Sequence, residues 1–284
     1  MPAAFLVIPE WQGSVSSRAM SHADGAHAIH GDLPSASTVL VDVPVEAGDA
    51  LGTGVQRYSA VRRVRERTAE ALAAAAGTPI AIGGDCGIAL APVAAASAAH
   101  PGELAVLWLD AHPDLNTPET SPSGAFNGMV LRAIAGEGAD GLALDEATRV
   151  PPSRLVLGGL RAVDDGEQAY LDEHGVTTID VAGLADPAAV VAAIRATGAS
   201  RVYVHVDLDV LDPAAIAGLS YPLPFGVGPT KLVALLKAVV DELPLAGASI
   251  AGFTPASPDV ALDDLPTILR IVGALASGAA SAAR

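Results

Sequence analysis

Eight short apolar runs recur along the chain, at residues 5–8, 38–43, 79–83, 104–110, 154–158, 176–179, 201–209 and 249–254. Most are continuously apolar rather than alternating, which is the pattern of parallel strands covered on both faces. Helical stretches fill many of the gaps, at 58–76, 87–99, 162–173, 187–197, 230–243 and 265–277. The pairs Asp186-Pro187 and Pro229-Thr230 read as helix starts, since proline is favoured in a first helical turn. Strand alternating with helix leaves one fold class open: α/β, a mainly parallel sheet with helices on both sides, in three α/β/α layers. No linker, composition shift or internal repeat interrupts it, so residues 1–284 are expected to form a single domain.

Composition narrows the function. Of 284 residues, 51% are hydrophobic and only 4% aromatic, so the core is large and aliphatic. The net charge of −16 argues against a nucleic-acid partner, because phosphate binding needs a basic face. A lone Cys86 excludes an internal disulfide. The apolar run at 3–9 is short and lacks a basic leader. No apolar run reaches the roughly 18 residues of a membrane span. These features predict a soluble, cytoplasmic protein without a membrane partner.

Ligands of such sheets collect beyond the carboxyl ends of the strands. Polar residues cluster at four of those ends: Gly83-Gly84-Asp85-Cys86, Asp110-Ala-His-Pro-Asp114, the segment from Asp207 to Pro213, and the segment from Gly252 to Pro258. Asp110, His112 and Asp114 are spaced two apart, as are Asp207 and Asp209. If the strands continue, alternation puts each set on one face. Grouped carboxylates repel one another and resist desolvation unless a cation balances them. Four carboxylates with one imidazole are about right for two divalent ions, and oxygen-rich donors with some imidazole suit Mn²⁺. Two such ions support metal-assisted hydrolysis. His205 lies deeper on the strand of Asp207 and reads as a satisfied core histidine. Asp212, before Pro213, reads as a turn or cap residue. Arg57, Arg62, Arg63, Arg65 and Arg67 read as a solvated helix face, with Glu66 and Glu70 as partners.

Asp-Ala-His-x-Asp followed by Asn116-Thr117-Pro118, and later Asp-x-Asp-x-x-Asp-Pro, resemble the ureohydrolase family of arginase, agmatinase and formimidoylglutamase. The likeness covers nearly the whole chain. It implies an eight-stranded parallel sheet, a binuclear manganese centre, a homo-oligomer (trimer or hexamer) and a small guanidino or amidino substrate. Hydrolysis would then proceed by attack of a metal-activated hydroxide on the planar carbon. By the same resemblance, Asp110 and Asp207 bridge the metals, His112 and Asp209 bind one ion, and Asp114 binds the other. Asn116, Ser121 and Ser123 match a loop that holds a substrate α-carboxylate, and Asp164 matches a position facing the α-amino group. From the residues alone, the Asn/Ser cluster is also ordinary turn chemistry.

Three departures qualify the match. The family's Gly-Gly-Asp-His reads Gly-Gly-Asp-Cys here, so Cys86 is either a thiolate ligand favouring Zn²⁺ or Fe²⁺, or a small packing residue. A proton-shuttling His aligns with Asn127, which cannot serve as a general acid or base. Asp114 and Asn127 are therefore the candidate catalytic positions, one retained and one altered. The acidic residue that grips a guanidinium falls near Gly252, which has no carboxylate. The departures leave open a substrate-shifted or non-catalytic member that keeps its metal site. A single-zinc deacetylase is a third reading, disfavoured by Asp114 and the Asp207/Asp209 pair.

Overall fold

A computed structural model describes residues 2–281. In chain order the elements are β1 (Ala3–Val7), α1 (Ser21–His30), β2 (Thr38–Leu40), α2 (Tyr58–Ala74), β3 (Thr78–Ile82), α3 (Leu90–Ala99), β4 (Leu104–Leu109), α4 (Val130–Ile134), β5 (Leu155–Gly158), α5 (Asp165–His174), β6 (Thr177–Ile179), α6 (Pro187–Ala196), β7 (Arg201–Asp207), α7 (Pro229–Glu242), β8 (Leu245–Ala251) and α8 (Pro258–Ser281). Every pairing among these strands is parallel, in the order β2-β1-β3-β8-β7-β4-β5-β6. The α/β class and the three layers expected from the strand–helix alternation are therefore present.

Alternation along the strands feeds two cores. Leu107 and Leu109 of β4, with Val204 and Val206 of β7, pack with apolar residues of α6, α7 and α8 on one face. Val106 and Trp108, with Tyr203, pack with those of α2, α3 and α4 on the other. All six residues of β4 and all seven of β8 are buried, so neither strand has a solvent face on which to place polar residues.

Several boundaries differ from expectation, such as β2 ending at Leu40 rather than 43. The last strand is Leu245–Ala251 rather than 249–254. Its first half is small residues, Ala246-Gly247-Ala248, which carry little strand signal. The last helix begins at Pro258 rather than at 265, so a proline expected to lie outside it opens it. Helix α1 escaped the reading altogether: it contains Gly25, and its apolar residues are few. Asp186 caps α6 as expected, its side chain accepting from Ala188 N and Ala189 N at 3.1 and 3.2 Å. Asp212 accepts from Ala214 N at 2.9 Å and Gly226 N at 3.1 Å, the turn role predicted for it. Among the described residues, no helix is long and apolar enough to cross a membrane.

Candidate metal centre and substrate cavity

The carboxyl ends of β3, β4 and β7 converge on a cavity of about 280 Å³. Cys86, Asp110, His112, Asp114, Asn116, Ser121, Ser123, Asn127, Asp164, Asp207 and Asp209 all line it. Residues 98 positions apart, such as Ala111 and Asp209, thus meet because β4 and β7 are neighbours.

They do not meet by strand alternation. Strand β4 stops at Leu109, and β7 stops at Asp207. Beyond those points the chain turns back over the rim. Asp207 Oδ1 accepts from Asp209 N at 2.8 Å, closing a 3₁₀ turn that carries Asp209. Asp110 Oδ1 accepts from His112 N at 2.7 Å. Asp114 adopts a left-handed backbone, φ 53°, and its carbonyl accepts from Leu131 N and Arg132 N at 3.0 and 3.2 Å. A strand continued straight would have carried these side chains past the rim; the turns gather them onto it.

The donors interlock. His112 Nδ1 lies 3.0 Å from Asp209 Oδ2 and 3.4 Å from Asp110 Oδ1. Asp209 Oδ1 also accepts from Ala111 N at 3.0 Å. Cys86 Sγ donates to Asp207 Oδ2 at 3.0 Å and toward Asp110 Oδ2 at 3.8 Å. The Trp108 indole donates to Asp110 Oδ2 at 3.2 Å. Asp110, Asp114, Asp207 and Asp209 are all buried.

Burial and mutual repulsion show in the acidities. Burial first, then the charge of Asp209, pushes Asp207 up to about 7. Burial, then Asp110, pushes Asp209 up to about 6. Asp114 is raised well above the carboxylate range by burial and by Asp110. Burial would lower His112, but Asp110 and Asp209 outweigh it and push the imidazole up to about 12. Burial, followed by the surrounding aspartates, raises the Cys86 thiol.

A cation relieves these conflicts, and the donor atoms are spaced for one. Asp110, His112 and Asp209 bring one atom each within 4.8 Å of one another, as do Cys86, Asp110 and His205. Asp114 Oδ2 is buried with no hydrogen-bond partner. The residues therefore fit divalent metal.

His205 is the core histidine expected, but not a fully satisfied one. Its ring is fully buried, and Nδ1 sits 2.7 Å from Ser249 Oγ, but Nε2 has no partner. Burial lowers its pKa to about 3, so the imidazole is neutral.

Around the rest of the cavity, Asn116 Nδ2 donates to Asp164 Oδ2 at 2.9 Å, and Asn116 Oδ1 accepts from Thr120 Oγ1 at 2.9 Å. Ser121 Oγ and Ser123 Oγ accept from Gly124 N and Ala125 N. That is turn chemistry, yet it leaves each hydroxyl hydrogen able to donate to a ligand. Sequence reasoning missed Glu167 and Tyr221, which also line the cavity. Glu167 accepts from Leu115 N at 3.0 Å and Asp164 N at 2.9 Å, tying α5 to the loop after β4. The acidic residue three beyond Asp164 was a legible capping-box signal; Tyr221 had none.

Gly252 cannot simply be restored to an acidic residue. Its φ is +88°, and a Cβ there would stand 2.3 Å from Asp207 Oδ1. Gly252→Glu is expected to cost about 2 kcal/mol of stability, from left-handed strain and overpacking. Thermal denaturation of the metal-free protein checks this; an unchanged midpoint would contradict the close approach.

The arginines of α2 are mostly tied down structurally. Arg62 pairs with Glu66 and Arg67 with Asp42. Arg65 donates to the Gly141 and Leu142 carbonyls. Arg57 donates to the Ser14 carbonyl and lies over the Trp11 ring, a fixed role the solvated-face reading did not include.

Comparison with known proteins places the chain. Residues 16–261 match the model of the arginase family. An arginase of Staphylococcus aureus (strain MRSA252) is 32% identical over 185 residues, covering 62% of this chain and 61% of that protein. The N(omega)-hydroxy-L-arginine amidinohydrolase of Streptomyces lavendulae is 32% identical over 203 residues, 71% of this chain and 70% of that one. The chain spans between 52% and 61% of the length of the Staphylococcus aureus arginases it matches. In structure, Entamoeba histolytica arginase in complex with L-ornithine superposes with a TM-score of 0.83 at 21% identity, covering 96% of this chain and 97% of that one. At that identity the likeness speaks to the fold. The family match spans all of the cavity positions from Cys86 to Tyr221, and the chain belongs to the arginase family.

Proposed function

We propose that the chain is a metal-dependent hydrolase that cleaves a C–N bond in a small guanidino or amidino compound. The observation that carries the reading is the convergence of every donor and every substrate-loop residue on one cavity. The reading takes residues 1–284 as one working domain, because a single sheet carries all the donors. Two divalent ions, Mn²⁺ by the oxygen-rich donors, would be held by Asp110, His112, Asp114, Asp207 and Asp209, with Cys86 beside them. When bound, such ions lower the pKa of water and offset charge that builds at the attacked carbon.

The chain's own residues do the remaining work. Ser121 and Ser123 offer hydroxyl donors to the polar end of the substrate, and Asp164, held by Asn116, offers an acceptor. Burial of the carboxylates keeps the centre dry, which strengthens every charge–dipole contact inside it. Asp114 Oδ2, buried without a partner, is placed to hold a proton during turnover. Asn127 lines the cavity but cannot relay one, which would slow proton delivery about a hundredfold or more.

A substrate-shifted variant of this reading is favoured by one observation. The space a guanidinium-clamping side chain would need at position 252 is filled by the Asp207 carboxylate. The pocket then suits an amidine or amide that needs no bidentate carboxylate grip. Metal analysis of the purified protein, with urea or ammonia release from arginine, agmatine, guanidinobutyrate and formiminoglutamate, tests the proposal. Two metal equivalents and turnover of one substrate are expected. Sub-stoichiometric metal, no thermal shift with Mn²⁺ and no turnover would overturn it in favour of a non-catalytic scaffold.

A further inference from the structure

We infer that His205 is a metal ligand, which together with Cys86 and Asp110 forms a thiolate–imidazole–carboxylate pocket beneath the oxygen-rich rim. The inference rests on the metal-centre reading above. It adds a donor from inside a strand and makes the two metal positions chemically unlike.

The argument begins with register. His205 on β7 pairs with Trp108 on β4 and with Ser249 on β8. The indole stacks on the imidazole with ring centroids 3.6 Å apart and planes 17° apart. Ser249 Oγ holds Nδ1 at 2.7 Å. Three adjacent strands therefore fix the ring's plane and its depth. A ligating histidine needs the same support: its second nitrogen bonded to a neighbour, so that the first is presented to metal.

Nε2 is what the support presents. It is fully buried and has no hydrogen-bond partner. Leaving a buried polar atom unsatisfied is destabilising. A histidine kept only for packing would be replaced without loss by an apolar residue. A ring nitrogen of His205, Cys86 Sγ and an Asp110 oxygen lie within 4.8 Å of one another, and Nε2 is the nitrogen left without a partner. Donors 2.0–2.3 Å from a tetrahedral ion stand roughly 3.5 Å apart, so small side-chain movements close the set. The imidazole absent at position 86 is thereby supplied from β7. On binding, the Cys86 thiol proton passes to solvent and the thiolate ligates.

The two positions then differ in softness. Asp110, His112 and Asp209 offer only oxygen and nitrogen and suit Mn²⁺. The lower pocket adds sulfur and prefers Zn²⁺, Fe²⁺ or Co²⁺.

Cobalt titration of the full chain tests this by optical absorption, independent of turnover. The parent is expected to bind two Co²⁺ and to show a near-ultraviolet thiolate-to-cobalt charge-transfer band. Cys86→Ser should abolish the band. His205→Gln should weaken one Co²⁺ about a hundredfold and alter its visible spectrum. Ser249→Ala, which removes only the anchor of Nδ1, should weaken the same ion by about 10–100-fold; it guards against misfolding of the His205 variant. Two bound Co²⁺ with no thiolate band, or affinities and spectra unchanged in both His205→Gln and Ser249→Ala, would overturn the inference while leaving the metal centre standing. No Co²⁺ binding at all would overturn both.

Discussion

Asp207→Asn is expected to stabilise the metal-free protein and to abolish its thermal response to Mn²⁺. Asp207 is buried beside Asp209 and Cys86, and burial followed by the charge of Asp209 raises its pKa from 3.8 to about 7. A raised carboxylate pKa in the folded state means that ionisation opposes folding. The penalty is absent below about pH 4, grows between pH 4 and 7, and is complete above the folded value. At pH 8 it amounts to about 2–4 kcal/mol. The amide removes the charge and keeps an oxygen to accept from Asp209 N. The midpoint in chelator should therefore rise by roughly 5–10 °C, while added Mn²⁺ gives no further rise. Calorimetry with and without chelator measures both. A variant no more stable than the parent, or one that still responds to Mn²⁺, would count against a cation as the counter-charge for this cluster.

Trp108→Ala is expected to cost about 3–5 kcal/mol, the largest loss from any single truncation near the site. The side chain is fully buried, stacks on His205 and donates to Asp110. Its loss opens a cavity directly beneath the donors, so metal affinity should fall with stability. Trp108→Phe separates the two effects. It keeps a stacked ring and loses the indole donor, at a cost of about 1 kcal/mol. Equilibrium denaturation with metal titration of both variants checks this. A stable Trp108→Ala protein with full metal affinity would show that the indole is filler.

The fold was legible because parallel strands buried on both faces must be apolar throughout. Runs such as Leu104–Leu109 have no other soluble use. Strand β8 was half hidden because Ala246, Gly247 and Ala248 pack closely without the bulk that marks a strand. The donors were legible because aspartates closing an apolar run are costly without a cation. Their convergence was read correctly for the wrong reason: backbone turns at Asp114 and Asp209 gather them, not strand pleat. His205 is the core histidine expected, but depth along a strand says nothing about which ring nitrogen finds a partner, and Nε2 finds none. Gly252 looked like a missing carboxylate. Only its backbone angle and the nearby Asp207 show that the glycine is needed there. Tyr221 reaches the cavity from the segment between β7 and α7, a position no local pattern announces.

Strand β8 lies between β3 and β7, yet it is the last strand in the chain. Until it is inserted, β2-β1-β3 and β7-β4-β5-β6 are separate half-sheets with no strand joining them. Cys86 follows the first half; Asp110 and Asp207 belong to the second. A chain emerging during synthesis thus carries its thiol and its carboxylates on different bodies, because segments fold as they appear. Completion of the donor set that includes Cys86 becomes a late event, coupled to the closing of the sheet. A half-made chain can already bring Asp110, His112 and Asp209 together, but not the thiol beside them.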